Sequence, residues 1–175
     1  MRTAVMIAAL LTAAALQGTT AKASVAQQVG AVSIAAADST SREASAGEGI
    51  TTAFVASNHS NAPVAGVVSV TLPSGWRLLS RHGELRIAPQ GRAVLVVSVA
   101  VPRAAAAGQY ALVVRFSGAD GKNPDATLAI RVRARREVEV ALLEAPGFVP
   151  AGERYTATYV VSNRGNASQR VRMRA

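Results

Sequence analysis

Three arginines at alternate positions, Arg131, Arg133 and Arg135, are the residues of this sequence best spaced to do chemistry. Alternate side chains of a strand share one face about 7 Å apart, so three guanidinium forks could grip sulfate, phosphate or carboxylate groups. The same spacing also suits charged residues that keep a sheet face soluble and discourage edge pairing. Trp76, the single tryptophan, likewise has two readings. An exposed indole would be a platform for stacking a sugar. A buried one would plug a core between two sheets, with its ring N–H bonded to a carbonyl. Aromatic residues make up only 4% of the chain, so few other large rings could fill that core, which favours burial.

The remaining polar residues do not assemble into a known reaction centre. His59 sits in an Asn/Ser turn and His82 beside Gly83, and neither has a carboxylate pair close by to complete a metal site. No Gly-x-Ser-x-Gly elbow accompanies them. Glu43, Glu48, Glu84, Asp120 and Asp125 fall in turns or near strand ends, poor places for the paired carboxylates of glycoside hydrolysis. The loop Asp120 to Asp125 offers oxygen ligands to calcium, but Lys122 lies inside it and EF-hand order is absent, so it reads as a plain hairpin. No glycine-rich phosphate loop follows a strand. The chain has no cysteine, which excludes disulfides, thiolate metal sites, a cysteine nucleophile and a lipid anchor on cysteine. A non-enzymatic protein without a cofactor is expected.

The formal charge of +9 suggests a polyanionic partner. Its distribution argues against nucleic acid, because the arginines alternate with apolar residues and no aromatic–basic interleaving for base stacking is present. A solvated basic face, or an acidic partner such as an envelope glycan or lipid head groups, remains.

The elements that must position these residues are organised by a segment used twice. Residues 46–62 and 151–167 align without gaps at an offset of 105, matching at Ala46, Gly47, Glu48, Thr51, Val55, Ser57, Asn58, Asn61 and Ala62. Ile50 and Phe54 are replaced by the large side chains Tyr155 and Tyr159. A period of about 100 residues is one β-sandwich long. The first copy of the segment opens with a strand whose residues Ile50, Thr52, Phe54 and Ala56 face one way, and it ends in the turn 58–63. Val68, Val70 and Leu72 mark the inner face of the next strand, and Leu85 and Ile87 a short one. Arg92 to Val101, apolar on both faces apart from Arg92 itself and Ser98, predicts a central strand covered on both sides. Tyr110, Leu112, Val114 and Phe116 alternate in a half-buried strand, and residues 127–135 in a last one with Leu128, Ile130, Val132 and Ala134 inward.

The amino terminus predicts export. Arg2 gives a positive start, residues 4–16 are apolar except for Thr12, and Ala21-Lys22-Ala23 is a cleavage pattern, with Ser24 as the new terminus. That run is too short to anchor in a bilayer, and no later stretch is long enough to span one. The expected organisation is a signal peptide over 1–23 and an N-terminal segment 24–45 with an edge strand at 32–36. An immunoglobulin-like sandwich over 46–135 and a truncated second one over 136–175 follow, as in a piece of a longer tandem array.

The residues at the strand corners resemble a known group. Gly49-Ile50-Thr51, Ser57-Asn58, Pro73-Ser74-Gly75-Trp76, Ile87 to Gly91, Val99 to Pro102 and Ala107 to Tyr110 are similar to bacterial immunoglobulin-like repeats. These are the repeats related to the alpha-galactosidase-associated (NPCBM-associated) domain and to CARDB-type adhesion modules. The resemblance covers roughly residues 46–117 and implies a seven-stranded all-β sandwich. Such domains serve as spacer, adhesive or accessory modules on exported proteins and glycosidases, with no catalytic residues. Arg77 and the arginine-rich last strand depart from it. The leading expectation is an exported structural or interaction module of the periplasm, cell surface or medium. Its partners would be other domains of a longer chain, envelope proteins or a glycan. A carbohydrate-binding accessory domain of a glycosidase and a periplasmic pilus-type chaperone are the alternatives.

Overall fold

The computed structural model describes residues 27–37, 41–119 and 121–172. The signal-peptide reading of residues 1–23 and the Asp120 end of the calcium-loop reading lie outside the described residues. The elements in order are β1 (Gln27–Val29), β2 (Val32–Ala36), β3 (Ser41–Ala44), β4 (Gly49–Asn58), β5 (Val64–Thr71) and β6 (Arg77–Leu78). They continue as β7 (Glu84–Ile87), β8 (Arg92–Ala100), β9 (Gly108–Gly118), β10 (Asp125–Val132), β11 (Val138–Glu144) and β12 (Thr158–Asn163). The fold is all-β, and no helix occurs among the described residues.

Two five-stranded sheets face each other, ordered β1-β2-β4-β8-β6 and β3-β10-β9-β5-β7, and β11 and β12 form a separate pair. Strand alternation accounts for the sandwich, because side chains two apart point to the same face. In β4 Ile50, Thr52, Phe54 and Ala56 are buried, and in β9 and β10 Leu112, Val114, Phe116, Leu128, Ile130 and Val132 meet them from the other sheet. Phe54 and Phe116 are the largest fully buried rings. Burying a side chain of this class is worth about 1.5–3 kcal/mol each, so these two carry much of the interior. The predicted strand at 32–36 is present with those bounds, and Val32 and Ile34 reach the core. It is not the edge, since β1 pairs on its outer side. The chain then changes sheets, and β3 runs parallel to β10 from Ser41↔Ala129 to Ala44↔Val132. Ten strands therefore build the first sandwich, against the seven implied by the resemblance, because the leading segment is split between both sheets and β1 and β6 are short additions.

Two expectations are corrected. Residues 92–101 are not covered on both faces, for Val94 is 64% and Val96 53% exposed. Only the alternate set, Leu95, Val97 and Val99, is buried against the opposite sheet. A mostly apolar run therefore does not by itself say that its outer face is packed. The last strand stops at Val132 rather than 135, and Ala134 is exposed instead of inward, because both partner strands end there: Val132 is matched to Gly108, the first residue of β9, and to Ala44, the last of β3.

Candidate functional site

The two copies of the repeated segment form the same turn. In the first, Asn58 Nδ2 donates to Ala62 O at 2.8 Å and its Oδ1 accepts from Ser60 N at 2.9 Å. In the second, Asn163 Nδ2 donates to Ala167 O at 2.9 Å and its Oδ1 accepts from Gly165 N at 3.0 Å. Asparagine suits this position because its amide can mimic both backbone partners at once. The amide after it also has the same partner: His59 N donates to Ala31 O, and Arg164 N to Glu137 O. Upstream, Gly47 and Gly152 adopt φ of +85° and +86°, a left-handed conformation that glycine takes without strain. Glu48 N bonds Ser45 O, and Glu153 N bonds Pro150 O, each at 3.2 Å. The β11–β12 pairing, from Val138↔Asn163 to Leu142↔Tyr159, reproduces that of β2 with β4, from Val32↔Asn58 to Ala36↔Phe54.

The second turn is seated on the first sandwich by Asn166. Its Nδ2 donates to Ala105 O and Arg133 O, its Oδ1 accepts from Arg135 N at 2.6 Å, and its carbonyl accepts from Ala107 N at 2.8 Å. Its own amide donates to Arg135 O. Residue 166 thus fastens both the loop after β8 and the segment after β10. A cleft of about 990 Å³ opens at this junction, with Arg103, Arg133, Arg135 and Arg164 among its walls beside Gly47 and Gly165.

The arginine row expected from the sequence is therefore split. Arg131 is exposed on β10 itself and does not line the cleft. Arg133 and Arg135 belong to the segment after the strand. Arg133 donates to Ser45 Oγ at 3.0 Å, and Arg135 is ion-paired with Glu137. Arg164 pairs with Glu139 at 2.8 Å, and that hydrogen bond, followed by the carboxylate charge, holds the Arg164 pKa above its ordinary value. Arg103 and Arg164 were not singled out by spacing, because they come from different repeats and meet only through the Asn166 contacts. The one sequence signal was that Asn166 matches Asn61 in the repeat.

Trp76 is 8% exposed and belongs to the core, the burial that the scarcity of other rings favoured, and the alternative of an exposed ligand surface falls away. Its ring lies 5.3 Å from that of Tyr110 at 45°, a tilted aromatic pair, and the two border a shallow hollow of about 300 Å³. A ring covered to this extent has no open face for a sugar. His59 Nε2 is 2.8 Å from Ser33 Oγ and His82 Nε2 2.7 Å from Ser80 Oγ, at separate places. No group of three or more metal-binding side chains occurs among the described residues. No helix among them is long and apolar enough to cross a membrane.

No curated protein matches the chain. Among solved structures, a family 123 glycoside hydrolase from Clostridium perfringens is 16% identical with a TM-score of 0.41, covering 53% of this chain and 22% of its own. Salmonella alpha-2-macroglobulin reacted with methylamine is 18% identical with a TM-score of 0.48, covering 67% of this chain and 8% of its own. The ASH / PapD-like domain of human CEP192 is 17% identical with a TM-score of 0.41, covering 71% of this chain and 96% of its own. The chain thus spans under a quarter of the hydrolase and of the macroglobulin it matches. The family model described as the NPCBM-associated, NEW3 domain of alpha-galactosidase matches residues 44–117, from the last residue of β3 into β9, so the resemblance first read at the strand corners holds across the stretch that carries β4 to β8 and most of β9.

Proposed function

We propose that the chain is a non-catalytic, exported module that spaces and orients neighbouring domains, with β11 and β12 as the opening strands of a second sandwich. The observation that carries this reading is the Asn166 contact set, which seats the second repeat on the first with almost no linker between them. A junction closed by several backbone hydrogen bonds restricts the relative motion that a flexible linker would permit. The exposed apolar side chains of β11 and β12, among them Val140 at 58% and Leu142 at 57%, suit strands that a further sheet covers. The N-terminal charge, apolar run and Ala-Lys-Ala pattern support export.

Amide hydrogen exchange tests the spacer reading. Ala107 and Arg135, both bonded to Asn166, are expected to exchange about as slowly as amides at the β10 end, and Asn166→Ala is expected to speed Arg135 while sparing the core. Fast exchange at both sites in the unmodified chain would remove the spacer reading. For export, mass spectrometry of the chain made in a bacterial host should show Ser24 as the new terminus. A product that keeps Met1 and stays in the cytoplasm would refute it.

A second reading, an accessory domain of a glycosidase, is favoured by the matched family's description. It ranks below the first because Trp76 is in the core. Saturable binding of galactosides, lost on altering the Trp76–Tyr110 hollow, would reverse that order.

A further inference from the structure

The cleft between the repeats holds more positive charge than its surroundings neutralise. Of its four arginines, Arg135 is matched by Glu137 and Arg164 by Glu139. Arg133 bonds only a neutral hydroxyl, that of Ser45, and among the described residues no carboxylate lies within ion-pair distance of Arg103 or Arg133. Glu48, next to Gly47 of the wall, accepts from Ser45 N at 2.6 Å. Two unopposed guanidinium groups therefore border one concavity, where like charges concentrate the field and draw in anions. Arginine forks fit the oxygens of carboxylate and phosphate bidentately.

We propose that this cleft binds a phosphate group as its dianion, gripped by Arg103 and Arg133, with Arg164 brought to the wall by the second repeat. Charge selects the ligand: a phosphate monoester carries about −1.5 to −2 near pH 7, which matches the two unopposed cations, whereas a carboxylate carries one negative charge. The cleft exceeds a bare phosphate in size, so a phosphate borne on a larger organic group fits. The site exists only where both repeats are present, since Arg103 and Arg133 belong to the first and Arg164 to the second. It does not depend on the chain being a spacer.

The test is a titration of the full chain with inorganic phosphate at low ionic strength, followed through the arginine Nε–Hε signals, with acetate as the control. Saturable shifts are expected at Arg103 and Arg133 and none at Arg131, and acetate should give none at any of them. Arg103→Ala and Arg133→Ala should each weaken phosphate binding about tenfold or more, while Arg131→Ala leaves it within about twofold. All three side chains are exposed, so the variants should fold, which thermal melting checks. Sedimentation with vesicles of phosphatidic acid, a phosphomonoester lipid, in phosphatidylcholine separates the sources. Vesicle binding lost in Arg103→Ala and Arg133→Ala places the phosphate on a lipid, and phosphate saturation without vesicle binding places it on a soluble compound. The proposal is overturned if neither probe binds, if acetate competes equally, or if Arg131→Ala weakens binding as much as the other two.

Discussion

Asn58 and Asn163 each bond the carbonyl four residues on and the amide two residues on, but only Asn58 also reaches the carbonyls of Ile87 and Ala88 across the sandwich. Asn58 is 2% exposed, and Asn163 is exposed. The residues before them differ in the same way: Phe54 is fully buried and Tyr159 is 51% exposed. The two copies thus share backbone geometry at the glycine turn, the strand pairing and the asparagine turn while differing in what covers them. A short run of residues carries enough local hydrogen bonding to shape its own backbone. Burial needs a second sheet, which the first copy has and β11–β12 lack among the described residues.

The comparison is broken most sharply at the large side chains. Phe54→Ala should lower the stability of the first sandwich by about 3–5 kcal/mol, whereas Tyr159→Ala should change it by no more than about 0.5 kcal/mol, read by urea unfolding. Equal effects would mean that the second hairpin is part of the first fold. At the asparagines, Asn58→Ala leaves carbonyls without their donor inside the structure and should cost about 3 kcal/mol, while Asn163→Ala, open to water, should cost about 1 kcal/mol or less. A smaller contrast is expected at the glycines. Gly47→Ala places a Cβ in left-handed backbone, 3.1 Å from Arg103 Cγ, and should cost about 1 kcal/mol. Gly152→Ala has the same backbone but open space around it, and should leave the melting of the first sandwich unchanged.

Much of the sandwich was legible because alternation reports which side of a strand is covered. The inward sets of β4, β9 and β10 through Val132 follow from period two, and the repeat points to β12, although that strand begins at Thr158 rather than at Tyr155, the match of Ile50. Two features escaped. Val94 and Val96 look like core residues, yet their face of β8 is open, since apolar composition states what can be buried and not what lies opposite. Ala134 continues the period of β10 by residue type, but pairing ends with the partner strand, whose reach is set elsewhere in the chain. The junction cleft was illegible for a related reason: Asn166 bonds residues 31, 33 and 61 positions away, and no local pattern encodes that meeting.

The parallel alignment of β3 with β10 has a mechanical consequence. The polypeptide enters β3 at Ser41 and leaves β10 at Val132, at opposite ends of the matched stretch. Tension drawn along the chain from both sides therefore slides these strands lengthwise, so their crossing bonds share the strain together instead of opening one after another as in a peeled hairpin. Stretching single molecules should reveal a distinct yield force at this joint, and Ala129→Pro, which deletes an amide within the paired stretch, should lower it.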